Sequence, residues 1–255
     1  MTRNSYPKYV AMIADGNGRW AARRGLSIGE GHRAGAENVR ARLRDAAEFG
    51  IQELTIFAFS TENWARPADE VKGLMELLAE YIDFVTPELN EEGVRLRFIG
   101  DRRSPPLPPS LVEKMGWAEG LTARNDLITF YVPINYGGRG EILQAARRSA
   151  GSTEDDFRAL LYAPEMHDPE LVIRPGGEKR LSNFLTWQVA DAWLVFSDEM
   201  WPEFSRESFE AAIEDCREAL ARRAQGHGEI ATTTSPRRSS LIERAGTPRS
   251  WRRRN

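Results

Sequence analysis

Tyr9-Val10-Ala11-Met12-Ile13-Ala14, running straight into Asp15-Gly16-Asn17-Gly18-Arg19-Trp20, is the stretch whose reading decides the fold. The first six residues form a short apolar run without alternation, as in a strand buried on both faces of a parallel sheet. The polar hexapeptide behind it then sits where a strand hands over to a helix. Gly16 and Gly18 let backbone N–H groups approach an anion closely, and a helix N-terminus adds partial positive charge, so the turn can hold a diphosphate. Asp15 supplies a carboxylate for Mg²⁺, an ion bound by carboxylate and phosphate oxygens together. The spacing matches neither a P-loop, which ends in Lys-Ser/Thr, nor the G-x-G-x-x-G dinucleotide fingerprint. If Asp15 merely capped the helix, Arg19 and the two glycines would be left without a role.

Working outward, similar short apolar runs recur at 54–59, 94–99, 127–132, 171–173 and 193–196, separated by helical patterns at 34–49, 68–91, 110–122 and 140–149, with a last one at 206–223. Strands alternating with helices predict an α/β fold: one mostly parallel sheet of about six strands, flanked by helices. Ligands in such folds collect at the carboxyl ends of the strands. Three more polar loops follow strands there: Ser60-Thr61-Glu62-Asn63-Trp64-Ala65-Arg66-Pro67, Asn135-Tyr136-Gly137-Gly138-Arg139 and Arg174-Pro175-Gly176-Gly177-Glu178-Lys179-Arg180. Any one of them reads as a plain turn; four together predict a common rim.

The composition limits the alternatives. With 255 residues, 41% hydrophobic and 29% charged, the chain can bury one large core, and no apolar run approaches the ~18 residues that cross a bilayer. Residues 1–228 are expected to form a single domain. The segment Met1-Thr2-Arg3-Asn4-Ser5-Tyr6-Pro7-Lys8 shows no secretory pattern, so a cytoplasmic location is expected. Cys216 is the single cysteine and reads as core packing on a helix face. Residues 229–255 carry seven Arg and two Glu within a Ser-, Thr- and Pro-rich stretch, which predicts a basic, disordered tail. No aromatic interleaving or binding motif accompanies those arginines, and no nucleic-acid partner is predicted.

The ordered set Asp15–Trp20, Gly31-His32-Arg33-Ala34-Gly35, Phe59-Ser60-Thr61-Glu62-Asn63-Trp64 with Arg66-Pro67, Asn135–Arg139, and Ile173-Arg174 with Gly176-Gly177-Glu178 and Arg180-Leu181-Ser182-Asn183-Phe184 resembles the motifs of the undecaprenyl diphosphate synthase, or cis-prenyltransferase, family. The resemblance spans residues 8–224. It implies a hydrophobic tunnel and a Mg²⁺-dependent transfer of an allylic prenyl group from its diphosphate to isopentenyl diphosphate. By the same resemblance Gly16, Asn17, Gly18, Arg19 and Trp20 grip the donor diphosphate, with Asp15 on the metal. His32, Ser60 and Asn63, together with Phe59, Trp64 and Arg66, belong to the centre between donor and acceptor. Arg174, Arg180 and Ser182 hold the acceptor's diphosphate, and the enzyme is a homodimer. The apolar helix carrying Val71, Leu74, Met75, Leu77, Leu78, Tyr81, Ile82, Phe84 and Val85, with the strand that carries Ala58, is expected to wall the tunnel.

Three positions depart from the family pattern. Ile28 stands where the family has an arginine on the donor diphosphate, and Trp193 replaces a glutamate that assists metal and acceptor binding. The family's Arg-Arg-Phe-Gly-Gly ending is reduced to Arg222-Arg223-Ala224-Gln225-Gly226. If Trp193 lies at the diphosphate rim, its aromatic face suits a different acceptor, such as a second allylic diphosphate or an aromatic small molecule. The alternative expectation is that Trp193 packs on Trp187 or Trp201. A third reading, a non-catalytic partner subunit, conflicts with the retained Asp15–Trp20 set, His32 and Asn63.

Overall fold

The structure is a computed structural model that describes residues 6–103, 107–151 and 153–230. Its elements follow in the order β1 (Tyr9–Ile13), α1 (Asn17–Arg23), α2 (Ile28–Phe49), β2 (Glu53–Phe57), β3 (Phe59–Ser60), α3 (Ala68–Glu91), β4 (Val94–Ile99), α4 (Pro109–Leu121), β5 (Ile128–Tyr136), α5 (Gly138–Arg148), α6 (Glu154–Arg158), β6 (Leu171–Arg174), β7 (Trp193–Phe196) and α7 (Arg206–Ile230). Single 3₁₀ turns occupy Thr61–Ala65 and Trp201–Glu203. The described residues form one domain.

All strand pairs are parallel, in the order β3-β5-β2-β1-β6-β7 with β4 alongside β5. The six expected strands are present. The seventh comes from the run 54–59, which breaks at Ala58, where the amide leaves the ladder to donate to Pro133 O at 3.2 Å. Side chains alternate between the two faces of the sheet. Val10, Met12, Leu54 and Ile56 enter one apolar cluster with residues of α2, α3, α4 and α7, while Ala11, Ile13 and Phe57 enter a second with Tyr136, Met166, Phe184 and Leu185. Continuous apolar strands follow from this double burial.

Several boundaries differ from the sequence expectation for local reasons. Helix α2 starts six residues early because Ser27 and Glu30 form a capping box: Ser27 Oγ accepts from Glu30 N at 3.3 Å and Glu30 Oε2 accepts from Ser27 N at 2.8 Å. Strand β5 runs on through Asn135 and Tyr136, so the third rim loop is shorter than the sequence suggested and begins at Gly137. Helix α7 continues to Ile230, and from residue 231 the expected tail lies outside the described residues. Cys216 is fully buried, and burial, with Glu170 and Asp215 nearby, pushes its thiol up to about 12. No helix among the described residues is long and apolar enough to cross a membrane.

The strand register aligns the rim. Ile13 is level with Phe57 and Met12 with Ile173, so Asp15, Phe59 and Arg174 leave the sheet at the same carboxyl edge.

Candidate active site

Beneath that edge, between the sheet and helices α2 and α3, lies a cavity of about 700 Å³. Asp15 and Asn17, Ser60, Asn63 and Arg66, Arg139, and Arg174, Arg180 and Ser182 line it, so all four predicted loops reach one cavity. Leu43, Leu74, Leu77, Leu78, Tyr81 and Ile82, with Ile56, Phe98 and Phe130 from the strands and Ala58 from the break between β2 and β3, form its apolar depth. The tunnel expectation for α3 needs trimming, because a helix has only one face toward any neighbour. Val71 and Met75 turn to a separate cleft against Leu111, and Phe84 is 64% exposed with the Arg40 guanidinium over its ring.

The rim centres on Asp15. Its Oδ2 accepts from Arg174 Nη2 at 2.8 Å and its Oδ1 from Arg19 Nη2 at 3.1 Å. Burial alone would push this carboxyl up, but Arg174 and Arg19 outweigh it and hold Asp15 below the usual carboxylate value. Asp15 does not cap α1. The N-cap is Gly16, at φ 104, where a side chain would be strained and would also strike Met200 Sδ. The space beside Gly18 is open, with no atom within 4 Å of an added Cβ. The first helical bond of α1 runs from Trp20 N to Gly16 O, which leaves the amides of Asn17, Gly18 and Arg19 without an intrahelical acceptor.

Arg174 is only 4% exposed and organises the opposite side of the rim. It donates Nη1 to Ser182 Oγ at 2.7 Å and to the carbonyl of Arg180, while its buried Nε finds no acceptor among the described residues. Asn17 Oδ1 is likewise buried and unpaired. Orphaned polar atoms in the wall of a cavity are costly unless a ligand completes them. Arg180 is exposed; it donates Nε to Ser182 Oγ at 3.2 Å and forms an ion pair with Glu178.

Around the centre, Asn63 Oδ1 accepts from Ser60 N at 2.9 Å and closes the Thr61–Ala65 turn, and Arg66 pairs with Glu70 at 2.9 Å. His32 lines the cavity beside them. Burial first, then the charge of Arg66, push its imidazole below the ordinary 6.5, against a weaker opposing pull from Glu70. Phe59 also lines the cavity, but Trp64 stands behind it, donating Nε1 to Asn135 Oδ1 at 2.8 Å with its ring edge-on to Phe59. Trp20 lies outside the cavity wall, under the Arg24 guanidinium. Glu62, Arg139 and Asn183 line the cavity too, and the sequence offered them only as members of motifs.

The residues fit a magnesium ion in one way. Among the described residues no group of three or more His, Cys, Asp or Glu side chains could hold a metal. Two carboxylates line the cavity: Glu62 is engaged by Asn183, and Asp15, held ionised at the start of α1, is the one that would hold such an ion, with phosphate oxygens and water completing its shell.

One departure resolves differently from expectation. Trp193 does not stand at the rim: β7 places it level with Leu171, while Arg174 is level with Phe196 at the other end of the strand. Its Nε1 donates to Asp215 Oδ2 at 2.9 Å, and it joins neither Trp187, which meets Phe157, nor Trp201, which is buried beside Phe204. The case for an aromatic or second allylic acceptor rested on Trp193 at the rim and falls with that placement. Ile28 is the first residue of α2, 49% exposed and outside the cavity wall. At the C-terminal departure, Arg222 pairs with Glu218 and Arg223 with Asp191.

Fold and site together define a class: parallel α/β proteins that hold an anionic head at the sheet's carboxyl edge and an apolar chain in the slot below it. Residues 13–224 match the family described as "Putative undecaprenyl diphosphate synthase". The chain is 47% identical over 227 residues to an isoprenyl transferase of Rhizobium meliloti (strain 1021), covering 83% of this chain and 90% of that one. It is 46% identical over 220 residues to a (2E,6E)-farnesyl-diphosphate-specific ditrans,polycis-undecaprenyl-diphosphate synthase of Pseudomonas aeruginosa, covering 82% and 87%. The crystal structure of lavandulyl diphosphate synthase from Lavandula x intermedia, in complex with dimethylallyl diphosphate, superposes with a TM-score of 0.79 at 32% identity, over 84% of this chain and 96% of that one. The chain belongs to the undecaprenyl diphosphate synthase family.

Proposed function

We propose that the chain is a prenyltransferase that joins an allylic prenyl diphosphate to isopentenyl diphosphate and releases inorganic diphosphate. The observation that carries this reading is the continuity of one cavity, from the Asp15–Arg174–Ser182 rim to the apolar floor under α3. In the reaction the allylic C–O bond breaks with its electron pair on the departing diphosphate. The double bond of the acceptor supplies the pair for the new C–C bond, and the acceptor then loses a proton.

The chain's own groups answer to those needs. Charge building on the leaving oxygen meets Arg19 and the free amides at the start of α1, the kind of fixed donor that lowers such barriers. Arg180, exposed and anchored on Ser182, faces the acceptor's diphosphate, and Arg174 stays buried and holds both Asp15 and Ser182 in place. His32, kept neutral, adds no positive charge beside the cationic carbon. The leucines of α3 exclude water from it. Magnesium, held on Asp15, would supply further neutralisation of the donor diphosphate. We assign a homodimeric assembly as well; the exposed Trp193 and Leu194 on the edge strand β7 support a self-association surface.

Incubation with labelled isopentenyl diphosphate, Mg²⁺ and dimethylallyl, geranyl or farnesyl diphosphate should give chain extension with at least one donor, and the absence of extension with all three overturns the reading. Chelation with EDTA should stop turnover and added Mg²⁺ restore it. Unchanged turnover under chelation removes the magnesium assignment alone.

A further inference from the structure

Three of the rim loops meet on one side chain. Asn183 lies in the left-handed region at φ 62, directly after Ser182 at φ 50, a conformation that two consecutive non-glycine residues keep only when their surroundings impose it. The restraints are on every polar atom of its carbonyl and amide side chain. Asn183 O accepts from Gly138 N and its Oδ1 from Arg139 N, each at 2.8 Å. Its Nδ2 donates to Glu62 Oε1, also at 2.8 Å and across 121 residues of sequence. The fit leaves no slack: a Cβ added to Gly137 would come within 2.6 Å of Thr61 Oγ1 and 2.7 Å of Asn183 Nδ2.

Glu62 completes the junction as an anion. Burial would push its carboxyl up, but hydrogen bonds from Asn183, its own amide, Ser60 and Thr61 prevail and hold it below the usual value. One residue from Asn183, Ser182 Oγ takes the Nη1 of Arg174 and the Nε of Arg180. The bond between Asn183 and Glu62 therefore links the turn bearing Ser60, Asn63 and Arg66 to the segment bearing Arg180 and Ser182.

We infer that Asn183 is a positioning residue that fixes the Arg180–Ser182 segment against the Ser60–Arg66 turn and so sets the spacing of the two anion-holding halves of the rim. This rests on the reading of the rim as a site for two diphosphates. The bond has a direction, because only the asparagine end can donate. Asn183→Asp keeps the shape, tolerates the left-handed backbone and still accepts from Arg139 N, but it sets a carboxylate against Glu62. Glu62→Gln then returns a donor from the other side.

The test is calorimetric binding of inorganic pyrophosphate with Mg²⁺, alongside KM for isopentenyl diphosphate and for the allylic donor. Asn183→Asp should weaken pyrophosphate binding about tenfold and raise the acceptor KM by a similar factor, with the donor KM moved less than about threefold. Asn183→Asp combined with Glu62→Gln should bring both to within about threefold of the parent. A double variant no better than Asn183→Asp, or an Asn183→Asp chain that behaves as the parent, overturns the inference. Should Asn183→Asp fail to fold, Glu62→Ala removes the same bond from an exposed position and should weaken pyrophosphate binding about threefold or more; parent-like affinity there overturns it equally. A chain that shows this swap yet extends no donor would sink the proposed reaction and leave the junction standing, whereas normal extension without the swap overturns the junction alone.

Discussion

At the carboxyl edge of the sheet Asp15 is gripped by two guanidinium groups within 3.1 Å, whereas further along the same cavity Leu74, Leu77, Leu78 and Ile82 present only hydrocarbon. The rim is specified by directed bonds, each donor matched to one acceptor, so a change of a single atom removes a partner. The slot is specified by volume, and neighbouring side chains can share a change in it. Rim substitutions should therefore abolish chemistry, and slot substitutions should alter which chain is accommodated.

The sharpest test of that contrast is Asp15→Ala, expected to lower turnover ~10²-fold or more in steady-state assays, as when one group serving the transition state is lost. Asp15→Asn keeps an oxygen for Arg174 but not the charge, so it should regain only part of the thermal stability that Asp15→Ala loses and none of the rate; a fully active Asp15→Asn enzyme would break the comparison from the rim side. In the slot, Ile82→Ala should cost about 2 kcal/mol in denaturant unfolding, at the low end for such a truncation because the side chain already borders a cavity. Turnover should stay within about fivefold while products shift to longer chains, read by mass spectrometry; a rate loss as large as that of Asp15→Ala would break it from the slot side.

His32 stands at the border between the two regions and gives a smaller signal. Its folded-state imidazole resists protonation, so its contribution to stability is whole above pH 6.5 and drains away as pH falls below that value. Denaturant midpoints measured at pH 7 and pH 5 should fall in the parent and fall less in His32→Gln. Equal slopes would show that the imidazole gains no proton on unfolding in this window. The smallest effect belongs to Trp193→Phe, at the far end of the sheet, which loses one exposed hydrogen bond to Asp215 and should cost no more than about 1 kcal/mol with turnover unchanged within about twofold.

The sheet was legible from sequence because burial on both faces writes an unbroken apolar run, and 9–14 and 171–173 need no partner to be read that way. The four rim loops were legible for the same reason, since each follows such a run. Two kinds of information were not. One is register: the sequence placed Trp193 beside the diphosphates, and only its pairing level with Leu171 moves it to the opposite end. The other is contact at long range. Glu62 and Asn183 look like filler within their motifs, and their bond exists only because the fold closes a gap of 121 residues. A nearer signal was available for α2, where Ser27 and Glu30 spell a capping box, but the glycines at 29 and 31 dilute the helical pattern around it.

The Asp15–Arg174 contact carries one more consequence. Arg174 is a cation shut away from water, and such a charge would be ruinous to the fold without a counterion. The aspartate provides that counterion from within the chain. Neutralisation at Arg174 is thus written into the chain, and the geometry of the rim rests on the protein's own charges.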